Sequence, residues 1–238
     1  MKLIVCITIF FLCSFNGYAQ EKAIIFKNVN VVDVVEGNIR KGQDVVIKEG
    51  IIQAIGKNVG TGVSGEVKDL TGMYMMPGLI DAHVHIANDP KESQEDRAKH
   101  LEYFLRHGVT SIRDAAGDAR VLQELKEGVQ QGKYLGPDIY YAAFMAGPAY
   151  FEGNDREKSM VEGWPEPYAP WMQCIRPDTD LDKAMEGVKE WGCTGVKIYG
   201  GFDRETLLPL VRKAKEYGLQ VWGHATLFPA KPWDVADA

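Results

Sequence analysis

The stretch from Met76 to Ile86, MPGLIDAHVHI, holds the residue types best suited to metal chemistry. Pro77-Gly78 is typical of a turn, and the apolar run after it predicts a β-strand. Side chains at positions i and i+2 of a strand point to the same face, so His83 and His85 would project together. Imidazole is a common metal ligand, and the pair predicts a metal site. On its own, however, a His-x-His sequence is more often a chance or surface feature.

Two later residues could join this pair. In the run GVKIYGG, Val196 and Ile198 would face the helices, so Lys197 would point to the interior of the sheet. Burying an unpaired ammonium is costly, which indicates a use for Lys197 unless it reaches solvent at the strand end. His224 ends the strand predicted from Leu219 to Ala225; alone, it would more often be a core or loop histidine.

Strands and helices alternate along this part of the chain. Besides the strands already given, strands are predicted over Thr110–Asp114 and Asp138–Phe144, and helices over Lys91–His107, Ala119–Gly132, Asp178–Gly192 and Arg204–Tyr217. This alternation implies a parallel sheet with helical crossovers. In barrels built this way, the chemistry lies at the C-terminal ends of the strands.

Four other features were assigned from their place in this pattern. Asp114 would end the second strand, as a second-shell partner of a ligating histidine or as a structural residue. His100 and His107 fall on an outer helix and are not expected to bind metal. The long segment from Met145 to Met172 is rich in aromatic residues, Gly and Pro, and is predicted to cover the substrate or to form a packed cap.

The N-terminal part of the sequence is different in character. Lys2, an apolar run and Gly17-Tyr18-Ala19 predict a signal peptide over residues 1–19, cleaved between Ala19 and Gln20. Short strands, with a hairpin turn at Glu49-Gly50, predict a β-sandwich segment over residues 20–72. The barrel part would then cover residues 73–238. The apolar run of the signal is short for a membrane span, and none is expected after cleavage.

Composition sets broad limits. The 238 residues include 45% hydrophobic and 25% charged residues, as in an ordinary globular protein, and the net charge of −6 argues against a nucleic-acid surface. After cleavage, Cys174 and Cys193 remain, and their predicted places at opposite ends of a strand argue against a disulfide. A homo-oligomer stays open.

The run PGLIDAHVH, followed by Lys197 and His224 in order, resembles the amidohydrolase superfamily, and most closely its imidazolonepropionase-related and metal-dependent dipeptidase-like branch. The resemblance implies an α/β fold, an incomplete (β/α)₈ TIM-type barrel of about five strands after the β-sandwich segment. It implies that His83, His85 and His224 are metal ligands, and that Lys197 is carbamylated and takes a catalytic part by bridging two ions.

The activity implied is hydrolysis of C–N amide bonds in small molecules or dipeptides. One or two divalent ions, with zinc expected, would supply a metal-bound hydroxide and polarise the scissile carbonyl. The partners would be a small amide or peptide substrate and no nucleic acid. The location would be outside the cytoplasm, in the periplasm or secreted.

Two alternatives stay open. The family also uses a histidine on strand six and an aspartate on strand eight, and neither could be placed in this sequence. The chain could therefore be an inactive fragment, or an exported protein that binds metal or substrate without catalysis. A Schiff-base aldolase acting through Lys197 ranks lower, since it would leave the His-x-His pair without a role.

The signal sequence gives the first testable prediction. Mature protein should begin at Gln20 and should be recovered outside the cytoplasm, because the apolar run and Ala19 match what signal peptidase requires. N-terminal sequencing of the protein from each cell fraction checks this. Soluble cytoplasmic protein that retains Met1 would contradict it.

Overall fold

The computed structural model describes residues 22–152, 160–165 and 168–238. The chain forms two compact units that divide between Pro77 and Gly78. The predicted signal peptide and its cleavage site at Ala19 and Gln20 lie outside the described residues. No helix in the described part is long and apolar enough to cross a membrane.

The first unit is a mixed sheet of five strands in the order β3-β2-β1-β4, with β5 also paired to β1. The strands are β1 (Ala23–Asp33), β2 (Asn38–Lys48), β3 (Ile51–Gly56), β4 (Gly65–Asp69) and β5 (Tyr74–Met75). β1, β2 and β3 are antiparallel, whereas β4 and β5 run parallel to β1.

The hairpin between β2 and β3 turns at Glu49-Gly50, as the sequence predicts, and both residues have positive φ, 53° and 72°. Two positive φ values in a two-residue loop match the twist of the flanking strands. The core of this unit is small: Ala23, Ile25 and Val46 are buried, and Ala54 and Val59 pack against them.

The second unit is built on a parallel sheet in the order β11-β10-β8-β7-β6, with β9 paired to β8. Its strands are β6 (Leu79–Val84), β7 (Val109–Asp114), β8 (Asp138–Ala146), β9 (Met172–Cys174), β10 (Gly195–Ile198) and β11 (Gln220–Gly223). The helices are α1 (Gln94–Arg106), α2 (Ala119–Gln130), α3 (Pro148–Glu152), α4 (Leu181–Glu190), α5 (Arg204–Glu216) and α6 (Pro232–Ala236). This is the strand–helix alternation that the sequence predicts.

The four long helices begin at side-chain caps. Ser93, Asp118, Asp180 and Asp203 precede α1, α2, α4 and α5, and each accepts a hydrogen bond from a backbone N–H in the first turn. Those N–H groups have no partner within the helix, so a cap contributes about 1 kcal/mol. A Cβ at Gly78 would overlap the Thr110 side chain, which explains why a glycine directly precedes β6.

The helices pack on the outer face of the sheet, where alternate strand residues are apolar. Ile112, Val196 and Ile198 are fully buried there, as are Leu122 on α2 and Met185 on α4. The inner face carries the polar residues of interest. The sheet curls around this face: Arg113 on β7 and Trp222 on β11 touch, although β8 and β10 lie between their strands. The fold class is confirmed: an open α/β barrel of five consecutive strands beside a separate β segment.

One strand was not predicted. The sequence assigned Met145 to Met172 to a loop, but β8 continues to Ala146, and Met172–Cys174 forms β9 against its upper end. β7 pairs with β8 only as far as Tyr141, so β9 occupies the same edge beyond that point. A strand of three residues is too short to show alternation, which is why the pattern did not reveal it.

Leu122 provides a test of the helix–sheet core. Leu122→Ala should lower the free energy of unfolding by about 3 kcal/mol, because Leu122 is fully buried and its loss leaves a cavity. Leu135→Ala is the matched control; Leu135 is 55% exposed and should change stability by less than about 0.5 kcal/mol. Urea denaturation followed by circular dichroism measures both. Equal losses would show that α2 is not packed as described.

Candidate metal centre

A bulge near the end of β6 sets the direction of the first histidine. Asp81 pairs with Ile112 and Val84 with Asp114, so β6 has one more residue than β7 between these pairs. Within the bulge, the Asp81 carboxylate accepts a hydrogen bond from the His83 backbone N–H at 3.1 Å. A bulge of this kind redirects a side chain.

The two predicted ligands of β6 come together. The rings of His83 and His85 lie 5.1 Å apart between centroids and at 67° to each other. The His85 Nδ1 is 3.3 Å from the Ala116 carbonyl. An Nδ1–H that donates to this carbonyl leaves Nε2 with its lone pair free for a metal. Both histidines are exposed on the inner face.

Asp114 ties the ends of β6 and β7 together from beneath. It is fully buried, and its two carboxylate oxygens accept hydrogen bonds from the Ile86 N–H at 2.7 Å and the Ala116 N–H at 3.0 Å. Burial raises the pKa of Asp114 to about 6, although these N–H groups oppose the shift. The sequence proposed a second-shell or a structural role. The structure places Asp114 against the backbone on both sides of the site, so it positions His85 through Ile86 and Ala116.

Lys197 lies on the inner face, as the alternation of β10 predicts. It is only 7% exposed, and it pairs at the backbone level with Trp222 of β11. Burial lowers the pKa of Lys197, and the nearby charge of Arg113 lowers it further. Both effects favour the neutral amine, which is the nucleophilic form.

His224 follows β11 and lies beside Lys197. Its backbone N–H donates to the Ile198 carbonyl at 2.8 Å, and its ring stacks on Tyr199 with centroids 4.2 Å apart. Partial burial lowers the pKa of His224, and the charge of Lys197 lowers it further. Neutral imidazole is the form that binds a metal.

The predicted site residues thus share one concave face, but they are not equally close. Partial burial lowers the pKa of His83, followed by the charges of Lys197, His85, Arg113 and His224, so these groups are electrostatic neighbours. Among the described residues, no three His, Cys, Asp or Glu side chains lie close enough to hold a metal together. His83 and His85 form the pair, while Lys197 and His224 stand across the face from it.

The two histidines that were not expected to bind metal lie on α1 and its C-terminal end. His100 Nδ1 is 3.1 Å from the Glu92 carboxylate, and His107 Nδ1 is 2.8 Å from the Tyr103 carbonyl. Both have local partners. The two remaining cysteines, Cys174 and Cys193, are buried free thiols.

The chemistry of these side chains suits a divalent metal ion. Imidazole is a nitrogen ligand, and the surroundings of His83 and His224 favour the neutral form that binds a metal. Lys197 is buried, and in the described part of the chain no carboxylate lies within ion-pair distance of it.

The part of the chain that carries these residues matches a known family. The family model described as "Amidohydrolase family" matches residues 74–234, which include all four candidate ligands. This chain belongs to the amidohydrolase family.

Individual relatives of this amidohydrolase match over shorter regions. A dihydroorotase of Trichlorobacter lovleyi is 35% identical over 89 residues, which are 37% of this chain and 21% of the relative. An adenine deaminase of Listeria welshimeri is 35% identical over 94 residues, which are 39% of this chain and 15% of the relative. The chain therefore spans well under two thirds of the curated relatives that it matches.

Among solved structures, a putative prolidase from Bifidobacterium longum has the same fold. The TM-score is 0.65 at 22% identity, and the match covers 91% of this chain and 52% of the prolidase chain. At this identity the likeness shows the fold alone. The resemblance that the His-x-His run, Lys197 and His224 carried in the sequence is confirmed at the level of the superfamily.

Aromatic rings close one side of the concave face. Tyr199 lies 4.9 Å from Tyr150 and 5.1 Å from Phe144 between ring centroids, and Phe151 packs edge-on against Tyr150 at 5.5 Å. Because Tyr199 also stacks on His224, this aromatic wall extends from the candidate ligand to α3, which follows β8.

A second aromatic group joins Trp164 and Trp171 of the long segment to Trp191 at the end of α4, and it serves packing. Trp164, Trp171 and Trp191 are mutually edge-on, with centroids 4.8 to 5.8 Å apart. Trp171 is fully buried and donates its Nε1–H to the Met160 carbonyl at 3.0 Å. The segment thus contains residues suited to each of its two predicted roles, which are to cover the substrate and to form a packed cap. Residues 153–159 and 166–167 of the segment lie outside the described part.

Three residues of the site were not singled out from the sequence. Asp81 fixes the bulge, Arg113 enters the inner face from β7, and Tyr199 stacks on His224. Their signals were an acid two residues before His83, a cation preceding Asp114 on a strand, and an aromatic residue two positions after Lys197. Only the strand periodicity that placed Lys197 inward could have placed Arg113 and Tyr199 as well.

Asp81 gives a test of the bulge. Asp81→Leu should weaken Zn²⁺ binding about tenfold or more, because residues that orient a ligand from behind typically contribute that much. Asp81→Asn retains an acceptor for the His83 N–H and should remain near the unsubstituted protein. Isothermal titration with Zn²⁺ measures both affinities. Equal weakening in the two variants would instead point to the charge of Asp81.

Proposed function

We propose that this amidohydrolase is an exported, metal-dependent enzyme that hydrolyses C–N bonds in small amides or dipeptides. The observation that supports this most directly is the shared inner face of His83, His85, Lys197 and His224. The family membership adds a set of relatives that are named for reactions at C–N bonds, including dihydroorotase, adenine deaminase and prolidase.

The metal, one or two ions with zinc expected, would be held by His83, His85 and His224 together with a carbamate on Lys197. When bound, such an ion lowers the pKa of a water from 15.7 to about 7 and polarises a carbonyl as a Lewis acid. Ala116 and Tyr199 orient two of the histidines. The Ala116 carbonyl accepts a hydrogen bond from His85 Nδ1, and the Tyr199 ring stacks on the ring of His224. Asp114 holds the backbone at Ala116 in place.

The substrate class follows from the surroundings of the ligands. The aromatic wall of Phe144, Tyr150, Phe151 and Tyr199 offers an apolar surface beside His224, suited to a hydrocarbon or ring portion of a substrate. The other side of the face carries His83 and His85. A compact amide with one apolar group fits this division.

A second candidate is a protein that binds metal or substrate without catalysis. The observation that favours it is the spacing of the ligands, since the described residues contain no three-ligand group of His, Cys, Asp or Glu. The two candidates differ in one measurable respect: the binding protein would hold Zn²⁺ without metal-dependent turnover of amides.

Substitution of the ligands tests the site. His83→Ala should remove most bound Zn²⁺ because it breaks the pair. Lys197→Ala should weaken a bridged second ion, and short carboxylic acids should restore some turnover by supplying the missing bridging oxygens. The measurements are zinc content by atomic absorption and hydrolysis of dipeptides and cyclic amides.

His107→Ala is the matched control, since His107 bonds to the Tyr103 carbonyl on α1, outside the site. The control should retain its zinc and turnover. If His83→Ala and Lys197→Ala behave like the control, the proposed site is excluded. If zinc depends on His83 but no substrate is turned over, the binding-protein candidate stands.

A further inference from the structure

Arg113 lies on the inner face, where none of the described residues gives it an ion pair. Its guanidinium lies over the Trp222 ring, with Cζ 4.1 Å from the centroid, and its Nε is buried with no hydrogen-bond partner. Because the residues of β7 alternate, Arg113 points inward while Ile112 and Asp114 point toward the helices. Asp114 is therefore not its partner, although it is adjacent in sequence, and both oxygens of Asp114 are engaged by backbone N–H groups.

Lys197 stands next to Arg113 on this face. Trp222 is a neighbour of both residues. It is the backbone partner of Lys197 in the pairing of β10 with β11, and the Arg113 guanidinium lies over its ring. In the described part of the chain, neither cation has a carboxylate within ion-pair distance. Some other basic residues in that part are paired, for example Arg120 with Asp118. Two adjacent cations with no anion are unfavourable when shielded from water.

We propose that Arg113 is the counterion of a carbamate formed on Lys197. This inference rests on the carbamate that the proposed function assigns to Lys197. In that reaction, the neutral Lys197 Nζ attacks the carbon of dissolved CO₂ and forms an N–C bond, while the electron pair of one C–O π bond moves to the oxygen. The nitrogen then releases a proton to solvent. The neutral amine becomes an anion, and this anion attracts the Arg113 guanidinium.

Arginine is suited to this role and lysine is not its equivalent. The guanidinium stays charged at any working pH, stacks on an aromatic ring and presents N–H donors in a plane that matches a carboxylate-like group. Trp222 holds that plane in place. Arg113 is thus a positioning residue, which acts on the substrate only through Lys197.

The experiment measures the carbamate itself rather than turnover. Zinc-loaded protein is equilibrated with ¹³C-bicarbonate, and the carbamate carbon is counted by ¹³C NMR in the unsubstituted chain and in Arg113→Met, Arg113→Lys and Lys197→Ala. Arg113→Met should reduce the carbamate at least threefold at the same bicarbonate concentration, since it keeps an apolar contact to Trp222 but removes the cation. Arg113→Lys should retain more of it than Arg113→Met. Lys197→Ala identifies the signal by abolishing it.

The outcomes separate this inference from the proposed function. A carbamate at full level in Arg113→Met overturns the counterion role and leaves the proposed site intact. A missing carbamate in the unsubstituted chain overturns the inference, and zinc binding through His83 in the same sample then decides whether the histidine site survives. Thermal unfolding of each variant shows whether it is folded, and equal loss of carbamate in Arg113→Met and Arg113→Lys would indicate a packing effect instead.

Discussion

The curl of the parallel sheet is the constraint on which the site depends. Neighbouring strands are separated by about 4.8 Å, so side chains on β7 and β11, with β8 and β10 between them, would be about 14 Å apart on a flat sheet. On the curled sheet Arg113 reaches Trp222. The same curvature brings His83, on one edge strand, within electrostatic range of His224, which follows the other edge strand.

The two faces of this sheet are stabilised in different ways. On the outer face, apolar side chains such as Val196 and Ile198 pack under the helices, and burial of their hydrocarbon surface stabilises the fold. The inner face carries Lys197, Arg113 and the histidines, which add little to stability and shift one another's pKa. The inner residues repel one another and would not maintain the curvature of the sheet by themselves. The packing on the outer face therefore maintains it.

Asp114 connects the two faces. It sits in the outer layer, without an ion-pair partner, and fixes the backbone at Ile86 and Ala116 on either side of the candidate ligands. A buried carboxylate is costly unless its oxygens are satisfied, and here the backbone satisfies them. The positions of the nearby candidate ligands thus depend on a residue that does not itself lie on the inner face.

The sequence by itself determined the elements and the identity of the candidate ligands. The helix predicted over Asp178–Gly192 is present as α4, with Ala184, Met185 and Val188 buried, because an apolar stripe follows from spacings of a few residues. The inward direction of Lys197 followed from strand alternation in the same way. These signals are local, and each is complete within one segment of the chain.

The tertiary structure alone decided how those residues meet. The bulge at Asp81 depends on the register between β6 and β7, the stacking of Tyr199 on His224 joins two segments, and the contact of Arg113 with Trp222 needs strands more than a hundred residues apart in sequence. β9 exists only because β7 leaves the upper edge of β8 unpaired. Register, curvature and contact between distant segments leave no periodic signal in a single sequence, because they arise from packing between elements and not within one.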